Sequence, residues 1–149
     1  MTKTIVSLLL FFFLINIAIS DIDKTKLFSK YLSNFNLEIA KERNCYIILI
    51  AEGCDRCVDF NIEFTKSIKN KKNITLIISY KYKLINNEMK KLSKLFKTIF
   101  DKKGLFTKYN ISPYNACLII TKNRKIVEII KFDKMNREKQ KYIKKKLKK

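Results

Sequence analysis

The chain has 149 residues, enough for one domain once a targeting segment is set aside. Hydrophobic residues make up 47% of it, which excludes a disordered polar chain, and the lack of any histidine removes the usual neutral-pH base and a common metal ligand. The formal net charge of +20 favours solubility and anionic partners but says nothing about the fold.

Residues 1–20 read as a secretory signal. Lys3 supplies a positive start, "IVSLLLFFFLINIAI" a 15-residue apolar stretch, and "AIS" small residues ahead of a cleavage between Ser20 and Asp21. A spanning helix needs about 20 apolar residues, so no transmembrane segment is expected after cleavage. The expected location is the secretory pathway or another extracytoplasmic space: a periplasm, an organelle lumen or the exterior.

From residue 21 onward the chain reads as one domain with no repeat or linker. Asp21 or Asp23 caps a helix starting near Lys24, with Leu27, Phe28, Tyr31, Leu32 and Phe35 on one face. That helix is expected to reach about Arg43, with a break near residues 34–36. "CYIILIA" is a short continuous apolar run, the pattern of a strand buried on both faces. "GCDRC" follows. The period then becomes helical, with Cys57, Phe60 or Asn61, Phe64 and Ile68 aligned. Ile74–Tyr80 is a second buried strand. Ile85, Met89, Leu92, Phe96, Ile99 and Phe100 then predict a long amphipathic helix stopped by Gly104. "ACLIIT", the turn "KNRK" and "IVEIIKF" make a closing hairpin. A basic helix from about Lys134 carries only a thin apolar stripe, Met135, Ile143 and Leu147. With only two glycines and one proline, turns must fall on residues such as Asn and Asp, which tolerate left-handed backbone. The order predicts an α/β fold with a mixed sheet of about four strands, parallel in its βα units and antiparallel at the hairpin.

The pair Cys54/Cys57 admits three chemistries: a redox dithiol, part of a metal site or a structural disulfide. Zinc would need four ligands, and Cys45, Cys54, Cys57 and Cys117 are the only soft ones, without a second CxxC. No metal or other cofactor is therefore expected. Exchange chemistry needs an accessible thiolate and a resolving thiol nearby. Cys54, before or at a helix N-terminus, is the expected nucleophile, and Cys57, one turn on and expected to be more buried, the resolving thiol. Arg56 favours the thiolate, whereas Asp55 and Glu52 oppose it.

Ala51-Glu52-Gly53-Cys54-Asp55-Arg56-Cys57, after an apolar strand and before a helix, resembles the thioredoxin superfamily's A-E-W-C-x-x-C. "YNISPYNACLIITKNRKIV", from Tyr109 to Val127, resembles its Y-G-I-x-x-x-P-T, strand, turn and strand. The resemblance runs from about Lys24 to the end and implies a three-layer α/β/α domain over residues 21–149. It also implies thiol–disulfide exchange on protein partners bearing cysteines or disulfides, with substrate contacts at Gly53, Asp55, Arg56, Pro113, Tyr114 and Asn115. Three positions depart from the pattern. Gly53 replaces the flanking tryptophan, and Ile48 stands where many thioredoxins bury an aspartate. The cis-proline slot falls on Asn115 counted without gaps, or on Pro113 if the loop is shorter. These departures keep open a second reading, a redox-inactive thioredoxin-fold adaptor within a larger complex such as protein-export machinery.

Cys45 and Cys117 are expected to stay reduced. If their strands pair antiparallel, six residues, roughly 20 Å, separate them, against a disulfide limit of about 7 Å. Lys134–Lys149 holds nine Lys/Arg against one acid, Glu138. It reads as a solvated helix or a contact for an anionic surface; no nucleic-acid-binding motif accompanies it.

Overall fold

The computed structural model describes residues 24–52, 54–112, 115–133 and 135–148. The expected signal at 1–20, the caps Asp21 and Asp23, and Gly53, Pro113, Tyr114, Lys134 and Lys149 lie outside the described residues.

Helix α1 covers 24–33. It does not run on to Arg43. Asn36 takes a left-handed φ of 56°, Leu37 N–H donates to the Leu32 carbonyl and Asn36 N–H to that of Ser33. This is the Schellman arrangement, with asparagine in glycine's usual place, and it satisfies the helix's last carbonyls. The chain then enters β1 (Asn44–Ile50), α2 (Asp55–Lys66) and β2 (Ile74–Ser79). Both strands are apolar runs buried along nearly their whole length, because both lie inside the sheet.

The largest departure from expectation lies at residues 85–101. The long helix is instead a short one, α3 (Asn87–Ser93), followed by a strand, β3 (Lys97–Asp101), and a one-turn helix, α4 (Leu105–Lys108). Asn86 caps α3 by accepting from Met89 N–H at 2.8 Å. At the other end, the Thr98 hydroxyl bonds the Ser93 and Phe96 carbonyls, at 3.0 and 3.1 Å. "KTIFD" then pairs parallel with β2, Ile77 opposite Ile99 and Ser79 opposite Asp101. Phe96 joins the core cluster beneath α3, Ile99 joins the opposite cluster, and Phe100 stays partly exposed. Side chains that share one face of a helix thus serve three environments, as a strand's alternation requires.

The hairpin β4 (Cys117–Lys122) and β5 (Lys125–Lys131) forms as expected, with a register irregularity at Ile120/Thr121. Asn123 and Arg124 both have positive φ, 52° and 59°, the requirement of a tight hairpin turn of the I′ kind. Helix α5 (Arg137–Lys148) closes the chain and buries Ile143 and Leu147.

The sheet is mixed, with five strands in the order β3-β2-β1-β4-β5 rather than the four expected. The pairs β1–β2 and β2–β3 are parallel, β1–β4 and β4–β5 antiparallel. Five helices are present among the described residues. One cluster joins α2, α3 and α5 to one sheet face through Val58, Ile62, Met89, Leu92, Ile143 and Leu147. The other joins α1 and α4 to the opposite face through Phe28, Tyr31, Leu32 and Phe106. Each fully buried side chain of this size contributes about 1.5–3 kcal/mol. The architecture is therefore three layers, helices on a sheet on helices.

Candidate functional site

The strand–turn–helix junction after β1, the central strand, positions the dithiol. Cys54 is the N-cap of α2: its backbone is extended and its sulfur accepts from Cys57 N–H at 3.2 Å. Its carbonyl accepts from Val58 N–H at 2.9 Å, the first turn of the helix. Cys54 and Cys57 are joined as a disulfide, with Cα atoms 5.3 Å apart.

Cys57 is expected to be more buried than Cys54; both are exposed. Phe64 and Ile68 are buried as their spacing predicts, but the first turns of the helix bury the next residue along instead. Val58, Ile62 and Thr65, at spacings of four and three, turn inward and leave Cys57 outside.

Two acidic side chains near the sulfurs are already engaged. Asp55 pairs with Lys83 Nζ. The Glu52 carboxylate accepts from the backbone N–H of Lys81 and, at 3.1 Å, of Tyr82. The loop 80–84 after β2 is thus strapped to the CxxC segment on both sides. It presents Tyr82 and Leu84 almost fully to solvent, 81% and 89% exposed. Sequence reasoning missed this loop. Its partner residues lie about thirty positions from the cysteines, and no local pattern links them. Arg56 is exposed beside the pair.

Of the other residues singled out, Asn115 is half-buried two positions before β4. Cys117 pairs with Ile48, so continuing the antiparallel register places Asn115 level with Ile50, at the end of β1 that feeds the dithiol. Ile48 is fully buried in the apolar cluster. The buried acid among the described residues is instead Asp101, at the end of β3. It accepts from the Ser79 hydroxyl (2.9 Å), the backbone N–H of Phe106 (2.9 Å) and Leu105 (3.0 Å), and, at longer range, Lys103 N–H and Tyr31. These bonds make it the anchor of the β3–α4 turn. Burial, and then the nearby Asp101 charge, push the Tyr31 phenol well above its ordinary range.

Cys45 and Cys117 are free and buried. Cys45 pairs with Ile120, so they are three residues apart along the ladder rather than six. What keeps them apart is orientation: Cys45 belongs to one core cluster and Cys117 to the cluster on the opposite face. Burial raises both thiols, Cys117 to about 12, with the Ser112 hydroxyl and Lys131 acting the other way; Arg43 opposes the shift at Cys45.

The basic segment is partly committed to structure. Lys146 pairs with Glu128 on β5 and Lys139 with Asp133, while Lys141 and Lys145 are exposed. Among the described residues, no helix is long and apolar enough to cross a membrane.

The fold and site together define a mixed α/β protein with a surface CxxC disulfide at the N-terminus of the helix that follows its central strand. No protein-family model, curated protein or solved structure matches the chain.

Proposed function

We propose that the chain is a thioredoxin-like thiol–disulfide exchange protein acting on cysteine-bearing protein partners in an extracytoplasmic or lumenal compartment. One observation carries the reading: an exposed Cys54–Cys57 disulfide caps α2 at the end of the central strand. The strand–CxxC–helix unit and the closing hairpin support the reading beside the additional edge strand β3.

In the reducing direction, the Cys54 thiolate attacks one sulfur of a partner disulfide. A mixed disulfide forms and the partner's other sulfur leaves as a thiolate. Cys57, as thiolate, then attacks the Cys54 sulfur, restores the Cys54–Cys57 bond and frees the second partner thiolate. Two electrons pass from the dithiol to the partner, whose thiolates take up protons from solvent. The oxidising direction is the reverse. The Cys57 N–H aimed at the Cys54 sulfur and the helix N-terminus favour the thiolate. The acids that would oppose it are held by Lys83 and by two backbone amides. With Ile48 in the core, no carboxylate at that position moves the Cys57 proton; its exposure lets water take it directly. The compartment rests on the apolar leader at 1–20.

A redox titration against glutathione, read by alkylation and mass spectrometry at Cys54 and Cys57, tests this. A reversible two-electron midpoint between about −120 and −270 mV is expected, and its position assigns the direction of electron flow. A pair locked as a disulfide below about −300 mV, or one that never oxidises, would leave a structural bridge and the adaptor reading.

A further inference from the structure

Beside the dithiol, where β1, β2 and the turn after β3 end together, lies a cleft of about 370 Å³. Its basic rim comprises Lys81, Lys103 and Lys108; Ile50 and the Tyr82 ring supply apolar wall. Glu52, whose carboxylate is taken up by two backbone amides, completes the side nearest the cysteines. Glu52 is two residues from Cys54, so their Cα atoms are at most about 7 Å apart. Lys81 stacks its ammonium over Tyr82, 4.4 Å from the ring centre. Lys103 and Lys108 are exposed and make no ion pair among the described residues.

The cleft is held in shape from both sides. Glu52 and the Asp55–Lys83 pair fix the loop that carries Lys81 and Tyr82. Asp101 fixes the turn that carries Lys103. The two meet at Gly104, where φ is +59° and an added Cβ would sit 3.2 Å from the Lys81 Cβ. Glycine takes that backbone without strain, and a side chain there would press on Lys81.

We infer that this cleft selects the substrate: an extended partner segment whose cysteine reaches Cys54 while an Asp or Glu two to four residues away is held between Lys103 and Lys108. The inference rests on the exchange reading above. The spacing follows from strand rise, about 3.3 Å per residue, against the short span from the cysteines to the cleft. Charge complementarity argues for the acid, because two lysines without an ion pair among the described residues line one opening that also includes Glu52, two residues from Cys54.

The test uses the reduced protein and three disulfides. Hydroxyethyl disulfide is a small neutral probe. Two synthetic peptides carry one cysteine capped as a mixed disulfide with mercaptoethanol, and differ only in Glu or Gln three residues from it. Each exchange oxidises Cys54/Cys57 to the disulfide and releases two thiols. The Glu peptide is expected to react about three- to tenfold faster than the Gln peptide, the scale of one or two half-exposed ion pairs. The ratio should approach one in 0.5 M salt and in Lys103→Gln/Lys108→Gln. It should persist in Lys141→Gln/Lys145→Gln, which removes equal charge from α5, a helix of the opposite sheet face. Equal rates for the two peptides, with exchange otherwise proceeding, would overturn the inference and leave the exchange reading intact. A ratio that survives Lys103→Gln/Lys108→Gln, or falls as much in the α5 variant, would assign the preference to net charge and overturn the cleft. No reaction with hydroxyethyl disulfide or either peptide would overturn the exchange reading, and the inference with it.

Discussion

Replacing Asp101 by alanine removes the acceptor on which the β3–α4 turn is built. The Ser79 hydroxyl and the Phe106 N–H, both buried, lose bonds of 2.9 Å. A buried donor left unpaired costs about 1–3 kcal/mol. Leu105 and Lys103 N–H are less buried and regain part of their loss from water, and the 3.4 Å contact from Tyr31 adds little. The sum is about 3–5 kcal/mol, a large share of the roughly 5–15 kcal/mol that holds a domain folded. Urea unfolding followed by far-UV circular dichroism measures it. With a slope of about 1–3 kcal/mol/M, the midpoint should fall by roughly 1–5 M. Ser79→Ala should cost about 1 kcal/mol less in the Asp101→Ala background than alone, because its partner is already gone. A loss below about 1 kcal/mol for Asp101→Ala, or full additivity of the pair, would refute the anchoring role. Any softening of this turn should also reach the cleft, since the same backbone carries Lys103 and Gly104.

Three further outcomes are expected. Cys57→Ser should trap a partner on Cys54 as a stable mixed disulfide, visible by non-reducing electrophoresis and mass spectrometry, whereas Cys54→Ser should trap none. Arg124→Gly should raise stability by about 0.5–1 kcal/mol in the same urea assay, since a non-glycine residue is strained at φ 59° and the hairpin asks for that backbone. Alkaline pH should destabilise the protein through Cys117. Its native thiol is held up to about 12, while the unfolded thiol titrates near 8.5. Above pH 8.5 the unfolded state therefore gives up a proton that the native state keeps, and stability falls as pH rises. By pH 10 the loss should reach about 2 kcal/mol relative to Cys117→Ala, measured with thiols kept reduced. A wild-type curve parallel to that of the variant between pH 8 and 10 would contradict it.

The sequence by itself determined the alternation of α and β and the two buried strands. It also determined the closing hairpin and the placement of Cys54 at a strand–helix junction. Each of these rests on a local signal: an apolar run too short for a helix, a turn between two apolar runs, or a change of period. It also foretold that asparagines would serve as turn residues, as Asn36, Asn73, Asn110 and Asn123 do with positive φ. Tertiary structure alone decided the fate of residues 97–101. Their apolar spacing continues the helical pattern of 85–92, and only the open edge of β2, with the acceptor it needs at Asp101, makes a strand the better solution. It likewise decided that Cys57 faces solvent, because Val58 and Ile62 compete better for the core. Cys45 and Cys117 are divided by the sheet itself, since strand register assigns each side chain to one face. The strap from Glu52 and Asp55 to the loop at 81–83 joins residues about thirty positions apart. Contacts of that range arise only when the ends of parallel strands are brought to one edge.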